Sequence, residues 1–281
     1  MIRHMGFGAI AAAFTALAFA AAAAPAASDG ASAKIPDLVG PWQNANNFKL
    51  IAVPLSPHPV DDLAGYPHHE RGVDANGHDV STNAYVGDYT SPLLTPWASA
   101  ILKKEAELSI KGTDPFWAAT DCYPFGPTAL LQPEPVAFLQ TPDKVTIEYQ
   151  RDHQVRHVYL NVPHSKNPKP SWYGESVGHY EGDTLVVDTI GFNGRSFIDR
   201  YGTPYSEQLH LIERYRASPD GKTMQAEVTY DDPKAYTSQW KARINYRRGR
   251  DLPVEVACAE SVLDPATGKM NPIPVAEKPD F

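Results

Sequence analysis

Cysteine is scarce in this chain, with two residues, Cys122 and Cys258, among 281. That leaves no pair of Cys-x-x-Cys units for a structural zinc, and no His-Glu-x-x-His takes their place. A basic surface is missing too: 25 Lys and Arg against 33 Asp and Glu give a net charge of -8. The cations are also scattered, so a polyanion such as nucleic acid has no footprint here. No Gly-x-Ser-x-Gly elbow occurs, and Ser176, although near His179, lacks the elbow's strand-to-helix context. Gly-x-Gly spacing is confined to Gly6 and Gly8, so no phosphate-cradling loop is expected in the body of the chain. The segment holding His58, His68, His69 and His78 among Asp61, Asp62, Glu70, Asp74 and Asp79 has donors that suit zinc or copper. Its spacing matches no ligand motif, and the expectation is a protein with neither resident metal nor cofactor.

What is present begins with an export signal. Arg3 and His4 precede an Ala-rich apolar stretch from Met5 to Ala24, and small-residue cleavage sites follow near residues 26 and 33. We therefore expect residues 1–33 to be a signal peptide and the mature chain to be periplasmic or secreted, without a membrane span. In such an oxidising compartment Cys122 and Cys258 are expected to form one disulfide, the alternative being a catalytic thiol. A loop that long would contribute roughly 4–5 kcal/mol in the chain-entropy treatment.

The remaining chain has two textures. Residues 34–143 are rich in the 26 prolines, far above the usual share of roughly 5%, and read as a wrapping coil. One helix is expected over about 96–109, with Thr95 as its cap and Pro96 in the first turn. From Lys144 the period becomes two, through Val145/Ile147/Tyr149, the run from Val155 to Val162, and Leu185-Val186-Val187. It continues through Leu209/Leu211/Glu213/Tyr215, Met224/Ala226/Val228/Tyr230 and Trp240/Ala242/Ile244/Tyr246. The fold class is mainly β: an antiparallel meander of six or seven strands over residues 144–262, closed or bent into a barrel, with a tail over 263–281. Residues 34–281 are expected to form one domain.

Two resemblances support this. The Gly40-Pro41-Trp42 opening followed by a meander resembles the lipocalin-like (calycin) barrels, in which the Trp plugs one end. The runs DHQVRHVYLN, GHYEGDTLVVDTIGFNG, LHLIERYR and VTYDDPKAYTSQW are similar to a large family of exported bacterial proteins, across roughly residues 115–260. The second resemblance implies export and fold class and carries no activity with it.

Polar residues that the alternation sets among apolar ones are the candidates for function, because burying a charge is costly without a partner or a purpose. Glu213 shares its face with Leu209, Leu211 and Tyr215, while His210 and Arg214 point the other way. Asp188 closes the Leu185–Val187 run on a strand with two apolar faces, and His157 and Tyr159 share a face of the preceding strand. If these faces turn inward, Glu213, Asp188, His157 and Tyr159 share one cavity as an acid/base set. Tyr149, Tyr215, Tyr230, Trp240 and Tyr246 would line it around a small ligand. The expected functions are a cofactor-free lyase, isomerase or hydrolase acting on a small apolar, aromatic or sugar-like molecule, and a non-catalytic binding protein for a small apolar ligand.

Overall fold

The computed structural model describes residues 35–45, 51–52, 87–110, 123–132, 134–199 and 201–254. Ten strands form one sheet: β1 (Gly40–Asn44), β2 (Ile51–Ala52), β3 (Val136–Gln140), β4 (Lys144–Tyr149), β5 (Val155–Leu160), β6 (Glu175–Glu181), β7 (Thr184–Ile190), β8 (His210–Ala217), β9 (Thr223–Asp231) and β10 (Trp240–Arg248). β1 pairs with β3 on one side and β10 on the other, which closes a barrel of nine strands; the two-residue β2 extends the pairing of β10. The expected barrel is therefore present, with more strands than the alternation from Lys144 reveals.

The ladder is antiparallel except between β5 and β6, which run parallel with Val158 opposite Ser176 and Leu160 opposite Gly178. This corrects the all-antiparallel expectation. Asn161, at φ 58°, follows β5, and a crossover carrying Pro163, Pro168 and Pro170 then returns to the end of the barrel where β5 began. Prolines cannot donate to a ladder, so this stretch bridges strands and does not join them. The backbones of β5, β6 and β7 approach closely at Gly178, where a Cβ would fall 2.7 Å from the Val186 carbonyl oxygen and 2.8 Å from Val158 Cγ1.

Alternation fills the interior, with Val145, Ile147, Val158, Leu185, Val187, Leu211, Ala226, Val228, Ala242 and Ile244 all buried. Trp42 closes the end where β1 begins. Its indole N–H donates to the Leu38 carbonyl at 2.8 Å, and the Arg248 guanidinium of β10 stacks 4.0 Å from its ring centre. Arg248 also donates to the carbonyls of Gly221 and Val39, tying β1 to the β8–β9 turn. Trp42 is thus fully buried at the β1–β10 seam of the barrel.

At the other end lies α1 (Pro96–Ile110), close to its expected bounds. The Thr95 hydroxyl accepts from Ala98 N–H at 3.3 Å, as the capping pattern requires, and donates to the Lys234 carbonyl at 2.7 Å. Ala98, Leu102 and Ala106 bury one face of the helix, anchored where β9 turns into β10. A short 3-10 helix, Gly126–Leu131, is buried throughout. It reaches the interior, for its Leu130 carbonyl accepts from Tyr246 at 3.0 Å and from Asn44 at 3.4 Å, both on inward faces. Gly126 has φ +62°, and a Cβ there would meet the Trp172 carbonyl oxygen at 2.6 Å.

Candidate functional site

Glu213 faces inward, as its alternation requires, and is fully buried. Facing it from β5 is Arg156, 5% exposed, whose two terminal nitrogens reach the two carboxylate oxygens, Nη1 to Oε1 at 3.0 Å and Nη2 to Oε2. Tyr215 adds a hydroxyl bond to Oε1 at 2.5 Å. Two further guanidinium donors go to Ser176 Oγ at 2.8 Å and Thr189 Oγ1 at 2.6 Å, and those two hydroxyls meet at 3.0 Å. Both carboxylate oxygens are therefore engaged by a fixed bidentate partner. With three bonds on its two oxygens and no exposure to solvent, Glu213 is held as the counterion of a structural arginine.

The five aromatic residues expected to hold a ligand are core residues. Tyr149, Tyr215, Tyr230, Trp240 and Tyr246 are all buried. Tyr149 packs on Tyr173 at 5.3 Å, Tyr215 edge-on to Phe138 at 5.3 Å, and Tyr230 stacks on Trp240 at 4.1 Å. Burial pushes the Tyr149 hydroxyl up to about 12, so it stays neutral near neutral pH.

His157 and Tyr159 lie on the opposite side of the wall. β5 turns Arg156, Val158 and Leu160 inward, which leaves His157 exposed and Tyr159 50% exposed. The expected four-residue cavity is thus not assembled: Glu213 is inside, and Asp188, His157 and Tyr159 are outside. The disulfide expectation and the His58–His78 segment both lie outside the described residues.

Asp188 does find company on the outer wall. Opposite Val177 on β6 and Ile212 on β8, it points away from the interior. His210 Nε2 lies 2.8 Å and His164 Nε2 2.9 Å from the same oxygen, Oδ1. His210 comes from the first position of β8 and His164 from the β5–β6 crossover. His164 Nδ1 continues the chain to Glu175 Oε1 at 3.2 Å, and that oxygen also accepts the Ser165 backbone N–H at 2.7 Å. His210 and Asp188 are 37% and 36% exposed, so solvent reaches the pair. Among the described residues no His, Cys, Asp or Glu group is arranged to hold a metal ion.

The two partners shift in opposite directions. Partial burial works against the Asp188 charge, but the bonds from His210 and His164 outweigh it and hold its carboxyl below the ordinary value. The bond to Asp188 lifts His210 above its ordinary value, against desolvation. Asp188 therefore contributes stability that is complete above its unfolded value near 3.8 and is lost as the pH falls through its folded value. His210 contributes stability that is complete below 6.5 and is lost as the pH rises through its folded value. In melting curves across pH, Asp188→Asn is expected to cost most between about pH 4 and 6.5 and less on either side. A cost independent of pH would show that the pair does not titrate as a unit.

His210 and Arg156 were within reach of the sequence. Arg156 sits on the more apolar face of its strand, and an inward Glu across the barrel calls for such a cation. His164 carried no signal, because its position depends on the path of an irregular crossover. No protein-family model matches the chain, and no curated protein matches it in sequence.

Proposed function

We propose that this barrel is an exported, cofactor-free acid/base enzyme, a lyase, isomerase or hydrolase of a small molecule, whose working group is His210 on the outer wall. One observation carries the reading. Asp188 accepts from His210 Nε2 at 2.8 Å, while no described protein group bonds Nδ1 of the same ring. A carboxylate only accepts, so the shared proton sits on Nε2 and the ring is oriented with Nδ1 toward solvent. A neutral ring held this way takes a proton from a substrate at Nδ1, and the charged ring returns it. Asp188 makes the ring more basic and balances the charge that forms. Export rests on the Ala-rich leader after Arg3 and His4.

A second reading, a lumenal binding protein, is favoured by two buried donors. The Tyr230 hydroxyl and the Trp240 indole N–H have no hydrogen-bond partner among the described residues, although buried polar groups ordinarily find one. An acceptor or donor atom of a small ligand reaching either group would satisfy it.

One screen separates the two. The full chain is tested for turnover and for thermal stabilisation against small esters, lactones, hydroxy acids and sugar acids. Under the first reading, His210→Gln and Asp188→Asn each lower turnover of a converted compound by about 10²–10⁴-fold. Turnover that survives both changes sinks it. A compound that stabilises wild type and His210→Gln alike, fails to stabilise Tyr230→Phe and is not converted assigns the second reading instead.

A further inference from the structure

His164 reaches the acid/base site from the crossover, and of the two imidazoles on Asp188 it is the more deeply set, 19% exposed. Its two nitrogens face carboxylate oxygens, Asp188 Oδ1 at 2.9 Å and Glu175 Oε1 at 3.2 Å. Carboxylates only accept, so both bonds are made together only when both ring nitrogens carry protons and the ring is positive. A neutral ring keeps one bond and turns a lone pair on the other carboxylate. Glu175 is fixed independently by Ser165, whose bonds, with the His164 contact, keep its carboxyl below the ordinary value.

Asp188 Oδ1 is therefore divided between two donors, and Oδ2 receives none among the described residues. The charged and titratable groups acting on the pair come from four elements: Glu175 on β6, Asp188 on β7, Asp231 on β9, and His164 on the crossover.

We propose that His164 is a positioning residue that regulates the site. As a second N–H donor on Asp188 Oδ1, it draws on the oxygen that holds His210 and weakens that hold. The inference rests on the acid/base reading of His210. Under it, the second donor on Asp188 Oδ1 sets how basic His210 is.

The test is an NMR titration of the His210 imidazole in the full chain, in wild type, His164→Ala, His164→Gln and Asp188→Asn, with melting curves to confirm folding. His164→Ala is expected to raise the His210 midpoint by about 0.5–1 pH unit, through loss of a competing donor and a neighbouring positive charge. His164→Gln, which removes the charge and keeps an N–H donor, is expected to raise it by less. Midpoints within about 0.2 unit of wild type in both variants overturn the proposal. Asp188→Asn separates the two claims. A His210 midpoint that does not fall there overturns the acid/base reading itself; a fall there, with no change in the His164 variants, overturns only the regulatory role.

Discussion

Arg156→Met is expected to destabilise the protein by about 3–5 kcal/mol, because it leaves the Glu213 carboxylate buried without its counterion. The change also strips Ser176 and Thr189 of their shared donor. For a barrel of this size the melting temperature should fall by on the order of 10 °C. Glu213→Leu should cost a similar amount by stranding the guanidinium. The double replacement Arg156→Met with Glu213→Leu should recover much of the loss, since neither charge then remains to be solvated in an apolar interior. Urea unfolding of the four proteins closes the cycle. Single changes below about 1 kcal/mol would mean that water reaches the pair, and the structural role given to Glu213 would fail.

Trp42→Ala should be comparably severe, about 3–5 kcal/mol, from lost burial and the cavity left behind. The ring is fully buried and makes two attachments that truncation removes, the indole bond to Leu38 and the stack beneath Arg248. β1 is five residues long and joins β3 to β10, so loosening Trp42 loosens the closure of the barrel itself. Trp42→Phe keeps most of the apolar surface and should cost less than half as much. Amide exchange should locate the damage: fast exchange confined to β1 and its partners in β3 and β10 is expected, whereas uniform acceleration would place the Trp in the general core and not at a seam.

Much of the barrel was legible because strand period and burial say the same thing. The alternations in β4, β8, β9 and β10 predict which side chains turn inward. β3 was not legible: Val136–Gln140 follows Pro133 and Pro135, and its five residues give too short a period to stand against Pro-rich surroundings. The parallel entry of β6 was hidden for a different reason. A hairpin turn at Glu181-Gly182-Asp183 predicts that β6 pairs with β7 but says nothing of its other neighbour.

The candidate site divides along the same line. Glu213 was placed inward by periodicity alone, but its partner Arg156 was not, because the sequence left both faces of β5 open and the inward one turns His157 and Tyr159 outward. Asp188 sat on a strand with two apolar faces, because Val186 on the outer side is nearly as buried as its inner neighbours. Where both faces are covered, period two loses its meaning. Nothing local could bring His164 to Asp188, which lies 24 residues away along the chain.

The closure at Trp42 also sets the order in which the barrel can be built. Arg248 and Val39, bonded across it, are 209 residues apart in sequence. At the usual rate of synthesis, roughly 5–20 residues per second, β1 exists for about 10–40 seconds before β10 does. Throughout that interval β1 can pair with β3 but lacks β10, so one of its edges is open to other chains. β6 to β10, whose pairings are hairpins between sequence neighbours, can form without either. First made and last closed on its β10 side, β1 gives this chain a late final pairing and an aggregation-prone interval just before it.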